Sequence, residues 1–244
     1  MKSKTLIIKK FQEVKSKGFI KSSRTGNTAI GKTFEDAMAI KENNDKLPDF
    51  GEFEVKSQRF LSSSKITLFT LKPTNPENAN QILLQKYGYI SGEQKLPSLH
   101  TSFTTKPNTL KGNYSLNLKI DKRAKKVFIQ ARNLHEKKEI SECFYTFKDI
   151  ELATKKLKNL FVVTADTKTK NQLEYFHYTN AKVFTGFNFQ KFLLKLENDE
   201  IQYDIRMGYY KTGINLGKPH DHGSGFRINR DNLPELFDDY FEVS

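Results

Sequence analysis

The residues with the clearest chemical potential are Asp49, Glu54 and Lys56. The sequence GEFEVKSQ at 51–58 alternates polar and apolar residues as a strand does, so Glu54 and Lys56 share one face. Hydrolysis of a phosphodiester requires charge neutralisation and an activated, correctly placed water. Two carboxylates offer hard oxygen ligands to Mg²⁺, and an ammonium beside them can hold the water or the phosphate. This PD…ExK pattern predicts a nuclease site; the alternative is a solvated strand face.

A second motif, GNTAIGKT at 26–33, matches the phosphate-binding loop G-x-x-x-x-G-K-[ST], and LFVVTAD at 160–166 could serve as its acidic partner strand. Such a loop normally follows a buried strand, yet the preceding GFIKSSRT contains only Phe19 and Ile20 as apolar residues. The alternative is a flexible loop that leads into a helix. Nucleotide hydrolysis therefore remains a second functional hypothesis.

The segment PHDHGSGFRIN at 219–229 combines polar side chains that can read base edges. Arginine, here Arg227, donates bidentately to guanine, and Asp221 can accept from cytosine N4. His220 and His222 can donate or accept. The other histidines are scattered and no cysteine is near, so we do not expect a zinc site. The segment predicts a base-reading loop; the alternative is a polar turn before an edge strand.

The hydrophobic periodicity predicts a mixed α/β fold around a sheet. One helix is expected at about 5–17, ending at Gly18, and another from Thr33, with Glu35 in its first turn and fraying near Asn43. Residues 72–115, rich in Asn, Thr, Pro and Gly, predict irregular structure. Further helices are expected near 147–158 and 188–198, and strands at 51–58, 65–71, 126–132, 159–165, 181–187, 201–210 and 225–229.

The charge balance favours a polyanionic partner. The 244 residues include 41 Lys and Arg against 28 Asp and Glu, which gives a formal charge of +13. A generally basic protein or one drawn to an anionic membrane surface would share this charge. No apolar run approaches the roughly 20 residues of a membrane span, and Leu6 to Ile8 is too short for a signal-peptide core. With Cys143 as the single cysteine, we expect a cytoplasmic protein without disulfides.

Taken in order, several segments resemble the MvaI/BcnI family of restriction endonucleases. They are GNTAIGKTFED, PDFGEFEVKS, ITLFTLKPTNPENAN, KYGY, DIRMGYY and KPHDHGSGFRIN. The resemblance implies a MutH-like fold with a central mixed β-sheet, flanking helices, and catalytic and recognition lobes within a single endonuclease domain at 1–244. It places the catalytic motifs at 26–70 and the main base-recognition segments at 201–230.

The resemblance also implies roles for individual residues. Asp49 and Glu54 would bind the catalytic metal, Lys56 would assist the water, and Glu35 would be an additional acidic residue. The glycine-lysine motif would then lead into the helix that carries Glu35 and need not bind a nucleotide. The residues implied to contact DNA are Arg206, His220, Asp221, His222, Arg227, Thr70, Lys72 and Asn75.

The implied reaction is Mg²⁺-dependent cleavage of double-stranded DNA at a CC-N-GG site. Thr70 and His222 match the branch that accepts A or T at the centre, so CCWGG is favoured. Mn²⁺ is expected to substitute for Mg²⁺, and Ca²⁺ to support binding without cleavage. We expect a monomer with no obligate protein partner and no membrane association. A phosphate-loop NTPase, a MutH-like repair nicking endonuclease and a non-cutting DNA-binding protein are the alternatives, and the intact catalytic set argues against the last.

Overall fold

The computed structural model describes residues 2–40, 47–91, 96–110 and 113–243. The chain divides into two compact units, each assembled from separate stretches of sequence. The first unit contains the chain up to Ile66, Lys155–Asn188 and the segment from Leu233 onward. The second unit contains Thr67–Thr154 and Phe189–Asn232.

Five α-helices lie in the described residues: α1 Lys2–Ser16, α2 Ala29–Ala37, α3 Ala79–Tyr87, α4 Phe147–Thr154 and α5 Phe189–Glu197. Two 3-10 helices span Lys155–Lys158 and Arg230–Leu236. The strands are β1 Ile20–Lys21, β2 Phe53–Arg59, β3 Ile66–Thr70, β4 Tyr89–Ser91, β5 Leu96–Phe103, β6 Asn108–Thr109, β7 Tyr114–Asp121, β8 Lys126–Asn133, β9 Glu139–Thr146, β10 Asn159–Lys170, β11 Leu173–Thr185, β12 Ile201–Tyr209, β13 Pro219–Asp221, β14 Gly225–Ile228 and β15 Asp239–Val243.

The first unit is built around one mixed sheet. Its strand order is β1-β11-β10-β2, with β15 paired to β11. β2 runs parallel to β10, with Glu54 opposite Leu160, and the other pairs are antiparallel. α1 and α2 bury their apolar faces in the same core as the apolar residues of the sheet, because Ile7, Phe11 and Phe34 are fully inaccessible to solvent. The parallel pairing of β2 and β10 fixes the backbone that carries the predicted catalytic residues.

β2 is buried on both faces. Phe53 and Val55 belong to the hydrophobic core, as the predicted alternation requires. On the opposite face, Glu54 is only 1% exposed, although that face is polar in sequence. A solvated strand face would leave a glutamate exposed, so the burial of Glu54 excludes this alternative for the PD…ExK pattern.

The second unit contains two further sheets. One has the order β3-β14-β12-β5-β4, with β13 paired to β12, and the other has the order β6-β7-β8-β9. Buried aromatic rings contact one another in its core, with Tyr203, Phe226 and Tyr145 in mutual ring contact. Such pairs add to the free energy of area burial through favourable edge-to-face geometry. This core supports β12 and β14, which carry the predicted arginines.

The prediction of a mixed α/β fold is confirmed, and most predicted helices and strands are present within a few residues. The predicted start of the second helix at Thr33 is wrong, because α2 begins at Ala29 and so includes Gly31 and Lys32. The expected fraying near Asn43 lies outside the described residues. No helix in the part of the chain that the structure describes is long and apolar enough to cross a membrane.

The prediction that residues 72–115 are irregular is wrong. The segment contains α3, β4, β5, β6 and the first residues of β7. β5 pairs with β12 over five residues, which places Leu99 and Phe103 in the core. α3 likewise buries Leu83 and Leu84. These elements are stabilised by long-range pairing and packing, which override the local turn composition.

Candidate active site and DNA-recognition segments

A hydrogen bond from the backbone holds Asp49 in the candidate active site. Its Oδ2 accepts the Val55 N–H at 2.8 Å, so the carboxylate is tied to β2. Burial raises the pKa of Asp49, and the neighbouring carboxylate of Glu54 raises it further. The hydrogen bond from Val55 and the ammonium groups of Lys56 and Lys156 oppose that rise. Two carboxylates therefore share one buried region, as a divalent cation site requires.

The two oxygens of Glu54 have different environments. Oε1 lies 2.6 Å from the Nζ of Lys56 and 2.8 Å from the Nζ of Lys156. Oε2 is buried and has no hydrogen-bond partner among the described residues. A buried, unpartnered carboxylate oxygen is costly and is found where a ligand or ion completes the site.

Lys156 was not identified from the sequence. It lies in the 3-10 helix Lys155–Lys158, directly before β10, and its side chain is 26% exposed. Its neighbours Lys155 and Lys158 are exposed. The run KKLK before a hydrophobic strand would indicate a lysine in the active site only if that strand were known to pair with β2. The sequence does not reveal this pairing.

The carboxylates fit a magnesium ion bound jointly with substrate. Mg²⁺ is usually held by one or two carboxylates together with phosphate oxygens and water. Asp49 and Glu54 offer such a pair, and the free Oε2 of Glu54 is the donor available to it. Among the described residues, no three His, Cys, Asp or Glu side chains form a group that could hold a metal by themselves. A metal at this site would therefore depend on phosphate and water for its other ligands.

Glu35 lies on α2, the helix that packs against β2. The hydroxyl of Tyr178 donates to the carbonyl of Ile30 at 2.8 Å and fixes this helix on the sheet. Burial raises the pKa of Tyr178, and the charge of Glu35 contributes to the rise. The role of Glu35 as an additional catalytic acid stays a prediction.

The glycine-lysine motif does not have the structural context of a nucleotide-binding loop. Gly31 and Lys32 lie inside α2, and the strand before them, β1, has only two residues. Lys32 Nζ forms an ion pair with Asp36 Oδ1 at 2.9 Å. The buried hydroxyl of Thr33 accepts the backbone N–H of Ser23 at 3.0 Å. These groups are used to build the helix and its preceding turn.

Arg206 and Arg227, both predicted to contact DNA, converge on a third residue that was not predicted. Asp204 on β12 is buried, and its Oδ2 accepts a hydrogen bond from Arg206 Nε at 2.6 Å. Arg227 Nε lies 2.8 Å from the same oxygen and forms an ion pair with it, without hydrogen-bond geometry. Ser102 Oγ donates to the other carboxylate oxygen at 2.8 Å. Burial lowers the pKa of Arg227, and Asp204 opposes this shift.

Asp221 shapes the turn that follows β13. Its Oδ1 accepts the backbone N–H groups of Gly223 and Ser224 at 2.9 and 2.7 Å. Its Oδ2 accepts the side-chain amide of Asn80 at 2.8 Å. Both oxygens thus hold the loop between β13 and β14, so Asp221 positions the neighbouring side chains. Its contact with DNA stays a prediction.

The structure brings together three histidines, of which sequence reasoning selected two. The rings of His220 and His222 lie 4.3 Å apart, and His100 lies 5.9 Å from His222. Tyr210 stacks on His220 at 4.1 Å. Burial lowers the pKa of His222, and the other two histidines lower it further. His100 was missed because β5, which carries it opposite Arg206, lies in the segment predicted to be irregular.

The remaining predicted DNA contacts are Thr70, the last residue of β3, and Lys72 and Asn75, which follow it. Thr70 is exposed. It lies beside the turn between β13 and β14, since a Cβ atom added to Gly223 would be 3.7 Å from the Thr70 methyl group. Lys72 is exposed as well. Asn75 is bound to β9 through its backbone, which exchanges hydrogen bonds with Phe144. Thr70 and Lys72 are thus accessible to DNA, while Asn75 has a clear structural role.

Comparison with known proteins decides the family. The sequence profile of the MvaI/BcnI restriction endonuclease family matches residues 8–237. The chain belongs to this family. As a member of the MvaI/BcnI family, the protein is a sequence-specific DNA endonuclease. The predicted family and nuclease class are therefore confirmed.

Two solved structures of restriction endonuclease MvaI resemble this MvaI/BcnI family member along its length. The complex of MvaI with its cognate DNA substrate is 33% identical over 98% of each chain, with a TM-score of 0.90. MvaI in the absence of DNA is 32% identical and has a TM-score of 0.64, with 100% of this chain and 98% of that chain covered. No curated protein sequence matches significantly.

Proposed function

We propose that the protein is a Mg²⁺-dependent restriction endonuclease that cuts double-stranded DNA at CC-N-GG sites, with CCWGG favoured. Asp49 and Glu54 bind the metal and Lys56 serves the attacking water. The observation that carries this proposal is the environment of the buried Glu54, which interacts electrostatically with Asp49. One of its oxygens is held by two lysines, and the other has no hydrogen-bond partner among the described residues. Solved structures of the family member MvaI include one with its cognate DNA substrate.

The chemistry follows from the positions of these groups. A divalent ion bound here supplies charge neutralisation and lowers the pKa of a bound water. Asp49 is fixed through Val55, so its other carboxylate oxygen keeps a constant direction. Lys56, on the same strand face as Glu54, places an ammonium where it can donate to the water or to a phosphate oxygen. Both actions favour in-line attack on the scissile phosphate.

Recognition rests on the second unit. Arg206 and Arg227 are held by Asp204 and present guanidinium groups suited to the O6 and N7 atoms of guanine. His222 lies in the turn between β13 and β14, and Thr70 lies beside that turn. We assign both residues to the central base pair. A threonine methyl can contact the methyl group of thymine, which agrees with a central A or T.

Cleavage of a plasmid of known sequence tests the proposal. With Mg²⁺ or Mn²⁺ we expect discrete fragments whose ends map to CCWGG, and with EDTA we expect none. Ca²⁺ should support specific binding without cleavage, because it accepts the same oxygen ligands in a looser geometry. Random degradation, or cleavage that persists in EDTA, would contradict the proposal.

We expect a monomer that cuts one strand at a time. Each chain has one set of Asp49, Glu54 and Lys56, and the central pair of a five-base-pair site cannot map onto itself by symmetry. A monomer therefore addresses one strand in each binding event, unlike a two-fold symmetric dimer. In rapid-quench cleavage of a one-site supercoiled plasmid, nicked circles should precede linear DNA. Direct conversion to linear DNA by a sedimenting dimer would refute this expectation.

A further inference from the structure

Two ammonium groups converge on one oxygen of the buried Glu54. Lys56 Nζ lies 2.6 Å and Lys156 Nζ lies 2.8 Å from Oε1. The two lysine side chains are 25% and 26% exposed, so neither is a freely solvated surface charge. One cation is enough to neutralise a single carboxylate, and a buried ion left without any partner is strongly destabilising. Both ammonium groups also stabilise the charge of the neighbouring Asp49, so two cations face two carboxylates. Oε1 of Glu54 nevertheless has two cationic partners at hydrogen-bond distance, where one would satisfy it.

The two lysines are attached to different parts of the fold. Lys56 lies two residues after Glu54 on the same strand. Lys156 comes from the 3-10 helix before β10, whose neighbour Leu157 is fully buried. This helix is anchored at its end, where the carbonyl of Lys158 accepts N–H groups from Gly186 and Phe187 at 3.0 and 3.2 Å. The backbone that presents Lys156 to Glu54 is thus fixed independently of the backbone of β2.

We propose that Lys156 is a positioning residue that takes over the neutralisation of Glu54, so that Lys56 is released to serve the water or the scissile phosphate. This inference rests on the proposed function. If Lys56 were the only partner of Oε1, its movement toward substrate would leave that buried oxygen without a donor, even with a metal bound at Oε2. With Lys156 in place, Oε1 keeps a cation at hydrogen-bond distance and Oε2 keeps its orientation.

The first test compares Lys156→Met with Lys155→Met and Lys156→Arg. Lys155 is exposed on the same 3-10 helix, so its replacement removes the same charge without touching Glu54. At saturating Mg²⁺, we expect the single-turnover cleavage rate of Lys156→Met to fall about 10- to 100-fold, as is typical for partners that orient metal ligands. Lys155→Met should cut normally, and Lys156→Arg should recover part of the rate. Specific binding in EDTA should be equal in all four proteins.

The second test needs neither metal nor activity. Lys56→Met and Lys156→Met each leave Glu54 with one cation, so each should lower the melting temperature slightly. The double variant leaves the carboxylate unpaired, and its loss should exceed the sum of the single losses. Adding Glu54→Gln to the double variant should restore stability, because the buried charge is then absent. If the double variant cannot be purified, a folded triple variant that also carries Glu54→Gln shows the same dependence of stability on the charge of Glu54.

Several outcomes would overturn the inference. They are equal cleavage rates in Lys156→Met and Lys155→Met, complete recovery of the Lys156→Met rate by excess Mg²⁺, and strictly additive melting temperatures. Complete recovery by excess Mg²⁺ would show that Lys156 affects only the affinity of the site for the metal. These results are distinct from a failure of the proposed function, in which the unmodified protein would not cut at any specific sequence.

Discussion

Replacement of Asp49 or Lys56 by alanine, or of Glu54 by glutamine, is expected to lower the cleavage rate by more than about a thousandfold. Each change removes a group that, in the proposed function, acts on metal, water or phosphate. Glutamine is the better replacement for Glu54, because it preserves the volume of a residue that is almost fully buried. The proposed base-reading residues lie in the second unit, so specific binding measured in Ca²⁺ should persist for Lys56→Ala.

The matched control is Glu52→Ala. Glu52 is exposed one residue before β2, and it carries the same charge as Glu54 close to it in sequence. Its loss should leave the rate within a few-fold of the unmodified protein. Stability should be measured in parallel, since Lys56→Ala retains Lys156 as a partner of Glu54 and should remain folded. A Lys56→Ala protein that cuts at the normal rate would remove Lys56 from the site.

The sequence was sufficient to predict the strand that carries the candidate catalytic residues. The alternation in GEFEVKSQ placed Glu54 and Lys56 on one face, and the structure brings their side chains together at 2.6 Å. Strand periodicity gives this relation because residues two apart share a face whatever else the sheet contains. It could not give the burial of that face, which depends on the remainder of the first unit.

Lys156 and Asp204 could not be predicted, for a common reason. Lys156 reaches Glu54 only because β2 and β10 pair in parallel although they are about a hundred residues apart in sequence. Asp204 unites Arg206 and Arg227 because β12 pairs with β14. The local sequence around each residue is ordinary, and the pairing that gives each one its role is long-range. The same dependence made residues 72–115 look irregular, since β5 is stabilised by β12.

The second large effect is expected at Asp204, whose replacement by asparagine should reduce base discrimination and leave sequence-independent binding intact. The asparagine keeps the shape but removes the charge shared by Arg206 and Arg227, which lie 2.6 and 2.8 Å from one oxygen. A bidentate contact to guanine is worth about 1–3 kcal/mol of discrimination, and two guanidinium groups lose their fixed orientation together.

The expected loss for specific DNA is therefore about 2–6 kcal/mol, which corresponds to a loss of affinity of about 30-fold to 20,000-fold. Affinity for a scrambled duplex should be unchanged or slightly higher, because the change removes one negative charge from the protein. Asp231→Asn is the control, since Asp231 is exposed in the same unit and its change alters the net charge equally. Fluorescence anisotropy in Ca²⁺ with cognate and scrambled duplexes measures both quantities. If Asp204→Asn weakened both duplexes equally, Asp204 would support phosphate binding or folding, and the two arginines would need another means of orientation for reading guanine.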